Sequence, residues 1–135
     1  MVRMAKDKTG ALIVIVDDLN YPGLEDSGID INATVTKQLI LSIFNKESPL
    51  HDGAMLIQKD RILKASCILP VSDNINVPAN AGLRHRAALG ISEMSSARTF
   101  VVSEENGKMS YTERGRIEMG LDDERILYYL QQAMA

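Results

Sequence analysis

Runs of apolar residues mark out the strands of this chain. Residues 11–16, ALIVIV, form an unbroken run rich in β-branched side chains, a pattern typical of a strand buried on both faces. Two further apolar segments, at 54–58 and 61–69, are separated only by Lys59-Asp60, and this spacing predicts a hairpin. These three segments are therefore expected to form the centre of a sheet.

A second hairpin is predicted further along the chain. The segments at 99–103 and 108–112 have the composition of strands, and they flank Asn106-Gly107, the residue pair that type I′ turns favour. Glu104-Glu105 is then expected at the tip of this hairpin.

Apolar positions recur at helical spacing in three stretches. The first helix is expected to begin at Thr34, a plausible N-cap, and to end near Asn45. The second opens near Arg84, and the third spans residues 122–134 behind an acidic first turn. The positions expected to face the core are Val35, Leu39, Ile43 and Phe44 in the first, Ala87, Ala88, Ile91 and Met94 in the second, and Ile126, Leu127, Leu130 and Met134 in the third.

Polar segments connect these elements. Residues 1–10 are expected to be frayed, and residues 17–30 to be mostly loop, with Ile29 and Ile31 able to form a short edge strand. Residues 71–81 form the longest irregular segment, and a loop of that length often carries function.

Composition limits the kind of protein. A chain of 135 residues fits one core, and a net charge of −3 argues against a nucleic-acid partner, which would need a basic face. The single cysteine, Cys67, lies in an apolar run and allows no internal disulfide, so a reducing, cytoplasmic location is expected. No apolar run reaches the ~20 residues that span a bilayer, so no membrane contact is expected in this segment.

The most chemically informative stretch is Arg84-His85-Arg86, at the predicted start of the second helix. Free N–H groups and the helix dipole favour an anion there, and two guanidinium groups add to that preference. Basic side chains at this end are unfavourable for the helix unless something negative docks on them, which points to phosphate. The alternative is that Arg84 and Arg86 pair with surface carboxylates.

A second polar cluster, His51-Asp52-Gly53, directly precedes the strand at 54–58. Its aspartate could orient or deprotonate a hydroxyl or hold a divalent metal, and its glycine lets a ligand approach the backbone; an ordinary turn aspartate is the alternative. The spacing of His51, His85 and Cys67 does not fit zinc, whereas Mg²⁺ or Mn²⁺ shared with phosphates needs few protein ligands. Glu104-Glu105 could contribute to such an ion or be merely solvated.

Together these motifs resemble the diadenylate cyclase (DAC, DisA_N-like) domain family, which condenses two ATP into cyclic di-AMP. Asp52-Gly53-Ala54 and Arg84-His85-Arg86 define that family, and the likeness runs in order over residues 9–112. It is closest to the membrane-tethered, CdaA-type branch, whose full-length members carry membrane helices before the catalytic domain. The other matching segments are Gly10-Ala11-Leu12-Ile13-Val14, Pro49-Leu50-His51, Leu69-Pro70, Ala87-Ala88 and Val101-Val102-Ser103-Glu104-Glu105 with Asn106-Gly107.

The resemblance implies a role for each side chain of the expected site. Asp52 would position or activate the ribose 3′-hydroxyl, and Leu69 would pack on adenine. Arg84, His85 and Arg86 would bind the phosphates and complete the catalytic set. The residues expected to bind ATP are Gly53, Ala54, Leu69, Leu83, Arg84, His85, Arg86, Ser103 and Glu104, and those expected to contact Mg²⁺ or Mn²⁺ are His51, Asp52 and Glu105.

The resemblance also implies a fold and an assembly. The fold would be a single α/β (α+β) domain over residues 1–135, with a mixed, largely antiparallel central sheet flanked by helices. Because the product is symmetric and each ATP is both nucleophile and electrophile, two protomers must meet face to face, each contributing one ATP. A monomer should therefore be inactive.

One departure from the family pattern keeps a second function open. Many relatives have threonine where this chain has Leu83, so one hydroxyl contact to phosphate is absent; a single neutral hydrogen bond is worth only about 1 kcal/mol. An active cyclase is the favoured interpretation. A catalytically quiet module that binds ATP or cyclic di-AMP is the alternative, and a purely structural interaction domain is a third.

Overall fold

The apolar run predicted to be buried on both faces is the central strand of the molecule. The computed structural model describes residues 1–17, 27–74 and 81–135. The strands are β1 (Ala11–Val16), β2 (Ile29–Thr34), β3 (Ala54–Gln58), β4 (Arg61–Cys67), β5 (Arg98–Val102), β6 (Met109–Glu113) and β7 (Arg116–Leu121), and the helices are α1 (Val2–Lys6), α2 (Lys37–Phe44), α3 (Leu83–Met94) and α4 (Asp123–Met134).

These strands form one seven-stranded sheet in the order β2-β4-β3-β1-β5-β6-β7. Strands β1 and β3 run parallel, and the other neighbouring pairs are antiparallel. Every residue of β1 is buried, as the sequence pattern predicts. The expected fold class is confirmed: the domain is α+β, with a mixed, largely antiparallel sheet flanked by helices.

Different helices cover the two faces of the sheet. Successive side chains of a strand point to opposite faces. Ile13 of β1 packs in one cluster with Phe44 of α2 and Ile126 of α4. Its neighbour Val14 packs on the other face, in a cluster that contains Ile91 of α3. Helix α3 therefore lies on the opposite side of the sheet from α2 and α4, and the start of α3 is where the basic motif lies.

The first predicted hairpin and the predicted edge strand are both confirmed. Lys59 and Asp60 join β3 to β4, and the left-handed φ of 55° at Lys59 allows the tight reversal. Strand β4 ends at Cys67, two residues before the predicted end. The edge strand expected around Ile29 is β2, which pairs with β4 alone among the described strands.

The N-terminal segment is not frayed, contrary to the prediction. Helix α1 buries Met4, which is 1% exposed, in the core cluster beneath α2 and α4. The Thr9 N–H then donates to the Met4 carbonyl at 2.8 Å, which closes the helix before β1 begins. Met1 and Ala5 also pack against this cluster, and these apolar contacts anchor the segment.

Helix α2 begins two residues later than predicted. Thr36 is its N-cap, and the Thr36 hydroxyl accepts a hydrogen bond from the Leu39 N–H at 3.1 Å. Thr34 is instead the last residue of β2. The Val35 N–H donates to the Asp60 carbonyl at 2.8 Å, so the chain stays with the sheet until Thr36.

The turn at Asn106-Gly107 is not of type I′, contrary to the prediction, and the next hairpin along the chain has a turn of that type. Residues 103–108 form a longer connection, in which Gly107 has a positive φ but Asn106 does not. Arg114 and Gly115, with φ of 50° and 76°, have the two positive values that a type I′ turn requires, and they join β6 to β7. Strand β7 was not predicted, although its residues alternate between more and less exposed positions.

Three helix residues predicted to face the core are exposed instead. Met94 is 58%, Leu127 55% and Met134 43% exposed. The other predicted positions of these two helices do face the core: Ala88, Ile91 and Ile126 are buried, and Ala87 and Leu130 pack against the core clusters. The core side of α3 also includes Leu89, and that of α4 includes Ala133.

Both long predicted loops lie largely outside the described residues, at 18–26 and 75–80. The described start of the second loop is tied to α3, since the Ser72 N–H donates to the Arg86 carbonyl at 3.0 Å. None of the helices in the described ranges has the length and apolar character needed to cross a membrane.

Candidate active site

A cavity of about 750 Å³ opens at one edge of the sheet, beside the first turn of α3. Neighbouring strands run in opposite directions except for the parallel pair β1 and β3, so this edge collects the C-terminal ends of β4, β5 and β7 and the N-terminal ends of β1, β3 and β6. The volume lies within the range of roughly 300–1,000 Å³ that is usual for small-molecule sites.

A histidine caps the start of α3. The N-cap residue is Gly82, which has no side chain to accept a hydrogen bond from the free N–H groups. The Nδ1 atom of His85 accepts a hydrogen bond from the Gly82 N–H at 3.1 Å, as the third helical residue does in a capping box. His85 thus helps to set the geometry of the turn that carries the basic motif.

His85 is also a neutral side chain. Burial lowers the pKa of His85 below its usual value of 6.5, Arg84 lowers this pKa further, and Glu105 opposes the shift. Because Nδ1 accepts the hydrogen bond, the ring proton lies on Nε2. The first turn therefore carries the charges of Arg84 and Arg86 and a neutral imidazole, not a third cation.

The Arg84 side chain is held against the start of β1. A Cβ atom at Gly10 would lie 2.8 Å from Cζ of Arg84, so the guanidinium occupies space that only glycine leaves free. Arg84 Nη1 also lies 3.4 Å from Oε1 of Glu104. Pairing with a carboxylate, the alternative raised for the arginines, is thus seen for Arg84, but this half-exposed pair is worth at most about 1 kcal/mol, so an anionic ligand can displace it.

His51 is oriented by a main-chain group. Its Nδ1 atom lies 2.8 Å from the Ser48 carbonyl, which can only accept, so Nδ1 carries a proton. Its Nε2 atom lies 3.4 Å from Oδ1 of Asp52, whose side chain is 86% exposed. The Nε2 atom of His51 and the Asp52 carboxylate thus lie together at the entrance to β3.

Gly53 cannot be replaced without moving the chain around it. Its φ is 88°, and a Cβ atom there would lie 2.8 Å from the Cys67 carbonyl oxygen and 2.8 Å from the Ser66 carbonyl carbon. The close approach packs the start of β3 onto the end of β4. Cys67 is buried, and burial raises the pKa of its thiol.

The possible metal-binding side chains fit a divalent metal ion that takes most of its ligands from groups other than protein side chains. Within the described residues, no group of three or more His, Cys, Asp and Glu side chains could hold a metal ion. His51 and Asp52 offer one nitrogen and one carboxylate, and a His that donates through its other nitrogen to a carbonyl is the usual arrangement for a metal ligand. Mg²⁺ and Mn²⁺ accept such sparse sites when a phosphate supplies further oxygens.

The cavity brings together most of the site residues predicted from sequence. The predicted residues on its lining are Asp52, Gly53, Leu69, Leu83, Arg84, His85, Ser103, Glu104 and Glu105. Three predicted residues, His51, Ala54 and Arg86, are not on the lining. Ala54 is buried in the sheet, whereas Arg86 is partly exposed and its carbonyl accepts from Ser72.

Sequence reasoning missed part of the lining. Ile68, which is 78% exposed, and Lys108 both line the cavity. So do Met119 and Gly120, at a bulge where Met109 pairs with Leu121 but Tyr111 pairs with Glu118. A glycine inside an alternating strand is a signal for such a bulge, and bulges often re-aim side chains beside functional sites.

Comparison with known proteins matches this chain to a protein family. The profile of the DAC family, described as DisA bacterial checkpoint controller nucleotide-binding, matches residues 1–117. The chain is 42% identical over 123 residues to a diadenylate cyclase of Listeria monocytogenes, covering 91% of this chain and 45% of the relative. It is 38% identical over 128 residues to the cyclic di-AMP synthase CdaA of Bacillus subtilis, covering 95% of this chain and 47% of the relative.

A solved structure shares the whole fold. The crystal structure of DacA from Staphylococcus aureus, an N166C/T172C double mutant, superimposes with a TM-score of 0.94 at 38% identity, covering 98% of this chain and 89% of that one. The chain therefore belongs to the DAC family, as the motifs indicated. It spans about half the length of the two curated relatives named here.

Proposed function

We propose that this chain is a diadenylate cyclase, which condenses two ATP into cyclic di-AMP and two pyrophosphates. The observation that carries the proposal is the cavity itself, in which Asp52-Gly53 and the Arg84-bearing start of α3 lie on one lining. A carboxylate suited to a ribose hydroxyl and a turn suited to phosphate are the two groups that nucleotidyl transfer needs in one place.

The nucleotide is held mainly by residues at the ends of the strands that meet at the cavity. Leu69 packs on adenine, and Gly53 and the neighbouring Ala54 let the nucleotide approach the backbone. Asp52 positions or activates the ribose 3′-hydroxyl. The high exposure of its side chain and its distance of 3.4 Å from His51 leave its oxygens accessible, so the carboxylate can accept a hydrogen bond from that hydroxyl.

The phosphates bind at the start of α3. Arg84 and Arg86 supply positive charge, and the free N–H groups of the first turn add the helix dipole. His85 takes part through its Nε2–H, since Nδ1 is engaged with Gly82. Ser103, Glu104 and Leu83 complete the phosphate side of the cavity, and Glu104 releases Arg84 when phosphate arrives.

The reaction balances without any further reactant. In each half-reaction the 3′-oxygen of one ATP forms a bond to the α-phosphorus of the other, and the bond from that phosphorus to the bridging oxygen of pyrophosphate breaks. The hydroxyl proton leaves through the carboxylate that accepts it. Repeating the step in the opposite sense closes the ring and releases a second pyrophosphate.

This symmetry requires two copies of the chain. Each copy brings one ATP, and the two cavities face each other about a two-fold axis, so the catalytic unit is a homodimer of a domain that spans residues 1–135. The net charge of −3 gives no basic face for nucleic acid.

His51 and Asp52, together with phosphate oxygens, are proposed to hold Mg²⁺ or Mn²⁺, and Glu105, which forms no three-residue cluster with them among the described residues, is proposed to contact the same ion. The ion supplies positive charge next to the polyphosphate, where negative charge develops on the departing pyrophosphate. His51 is ready for this role because its Nδ1–H is fixed by Ser48 and leaves Nε2 free to ligate.

The test is to incubate the purified chain with ATP and Mn²⁺ or Mg²⁺ and to measure cyclic di-AMP by mass spectrometry. Product that accumulates with time supports the proposal. ATP binding without product under either metal contradicts it and favours the quiet nucleotide-binding module that Leu83 left open.

A further inference from the structure

We infer that Lys108 is a phosphate-binding residue of this cavity, and that it contacts the terminal phosphates of the bound nucleotide. Lys108 takes this role only if the chain binds ATP as proposed. The residue lies outside the basic triplet and the acidic pair, and nothing in its local sequence marks it as part of a site.

The charges on the lining leave Lys108 without a carboxylate. Apart from the neutral His85, the charged side chains of the lining are Asp52, Arg84, Glu104, Glu105 and Lys108. Arg84 is paired with Glu104 at 3.4 Å. Within the described ranges no carboxylate lies within ion-pairing distance of the Lys108 ammonium. The lining carries three carboxylates and two cations, so loss of the Lys108 charge would leave one cation on the described lining to offset the charge of a polyphosphate.

The backbone of Lys108 is firmly positioned even though its side chain is exposed. The Lys108 carbonyl accepts from the Ser103 N–H at 3.0 Å, and the Lys108 N–H donates to Oδ1 of Asn106 at 2.9 Å. The preceding Gly107, with φ of 72°, lies against α1, because a Cβ atom there would come within 2.3 Å of the Ala5 carbonyl oxygen. The backbone of Lys108 is therefore fixed at the cavity wall, while its exposed side chain and ammonium group can move.

The strand order places Lys108 at the far end of the polyphosphate. Adenine on Leu69 lies at the end of β4, and the 3′-hydroxyl on Asp52 lies at the start of β3. Moving across the sheet, β1 and β5 follow, with Arg84 above them, and then β6, which Lys108 precedes. The step from β3 to β6 covers three strand spacings, about 14 Å. A nucleotide laid along this edge with its base on β4 thus points its last phosphates at Lys108.

The neighbouring strand leaves room for those phosphates. Met109 pairs with Leu121, so Lys108 and Gly120 flank one pair of the β6–β7 ladder, and both line the cavity. Gly120 has φ of 68°, and a Cβ atom there would meet nothing within 4 Å. The part of the cavity beside Gly120 is therefore open.

The experiment compares ATP, ADP and AMP binding by calorimetry for the wild type, Lys108→Ala and Lys108→Arg, with Lys46→Ala as a matched surface control. Lys46 is exposed and does not line the cavity. We expect Lys108→Ala to weaken ATP binding about three- to tenfold, since a charge-assisted contact at an exposed site lies near the low end of its range. AMP binding should stay within about twofold, and Lys108→Arg should restore ATP affinity.

Three results would overturn the role of Lys108. One is an unchanged ATP affinity in Lys108→Ala, and another is an equal loss for ATP and AMP, which a change in cavity shape would give. If the wild type makes cyclic di-AMP in either case, the proposed function stands and only Lys108 is excluded. A wild-type chain that binds no ATP would overturn both.

Discussion

The guanidinium of Arg84 occupies the space in which a side chain at Gly10 would lie. A Cβ atom built on Gly10 would be 2.8 Å from Cζ and 2.9 Å from Nη1 of Arg84. Gly10 immediately precedes the central strand, so the rigid centre of the sheet sets the position of a side chain on α3. This contact links the core to the chemistry of the cavity.

Replacing Gly10 with alanine should reduce activity without unfolding the protein. The added methyl group meets the end of a flexible side chain, which can move aside at little cost in stability, but the guanidinium is then misplaced. Displacement of a positioning group by about 1 Å can cost on the order of 100-fold in rate. We expect a 10- to 100-fold fall in kcat/KM for ATP with an unchanged melting temperature. Equal activity in Gly10→Ala would mean that this placement of Arg84 does not matter.

Replacing Gly90 with alanine should destabilise the protein, in contrast to the replacement of Gly10. A Cβ atom at Gly90 would lie 2.1 Å from the Pro70 carbonyl oxygen, which belongs to the backbone and cannot swing away. Alanine normally stabilises a helix interior relative to glycine by about 1 kcal/mol, but the energetic cost of overpacking against Pro70 should be larger than this gain. We expect the free energy of unfolding in urea to fall by about 2 kcal/mol.

Gly82→Ala is the matched control, since its Cβ would come no closer than 3.7 Å to another group. Its effect on the free energy of unfolding should stay below about 1 kcal/mol. If Gly90→Ala proved as stable as the wild type, the close packing of α3 on residues 70–72 would be wrong.

Stability should fall on acidification because of His85. The folded-state pKa of His85 lies below 6.5, so between 6.5 and that lower value the unfolded chain binds a proton that the folded chain does not. The contribution is fully present above pH 6.5 and is lost as the pH falls below it. The slope from this residue is at most about 1.4 kcal/mol per pH unit.

His85→Gln isolates that contribution. Glutamine at the third helical position can accept the hydrogen bond from Gly82 but does not titrate. The difference between wild type and His85→Gln in the free energy of unfolding should therefore change with pH below 6.5 and level off above it. A constant difference from pH 7.5 to pH 5 would contradict a depressed pKa for His85.

Chelation should abolish catalysis but leave the fold intact. The proposed ligands His51 and Asp52 directly precede β3, outside the core, and a sparse site of this kind adds little to folding. With a chelator we expect no cyclic di-AMP, full recovery on adding Mn²⁺ or Mg²⁺, and an unchanged melting temperature. Cyclase activity that survives exhaustive chelation would exclude the ion.

Strongly patterned elements could be predicted from sequence, and turns and helix faces could not. The run Ala11–Val16 is apolar at every position, so both its type and its central place followed from hydrophobicity alone. The type I′ turn was misplaced because Gly107 is needed for a different reason, its contact with Ala5. That contact is with α1, a short helix that is anchored in the core chiefly by the buried Met4, with Met1 and Ala5 packed beside it.

Lining residues that belong to sequence motifs could be predicted from the sequence. Lining residues that reach the cavity only through the strand order or a bulge could not. Asp52 and Arg84 stand in recognisable motifs, and the cavity joins them. Lys108 is placed by the strand order, and Gly120 by a bulge, and neither relationship can be read from a local pattern. The neutral state of His85 also needed the fold, because burial and the Gly82 hydrogen bond decide it.

The most direct test of the central claim is a paired assay of the wild type and Asp52→Asn with ATP and Mn²⁺, with cyclic di-AMP measured by mass spectrometry and ATP binding by calorimetry. We expect product from the wild type, at a specific activity that falls on dilution as the proposed dimer dissociates. We expect retained ATP binding without product from Asp52→Asn. Equal product from both proteins, or none from a wild type that binds ATP, would contradict it.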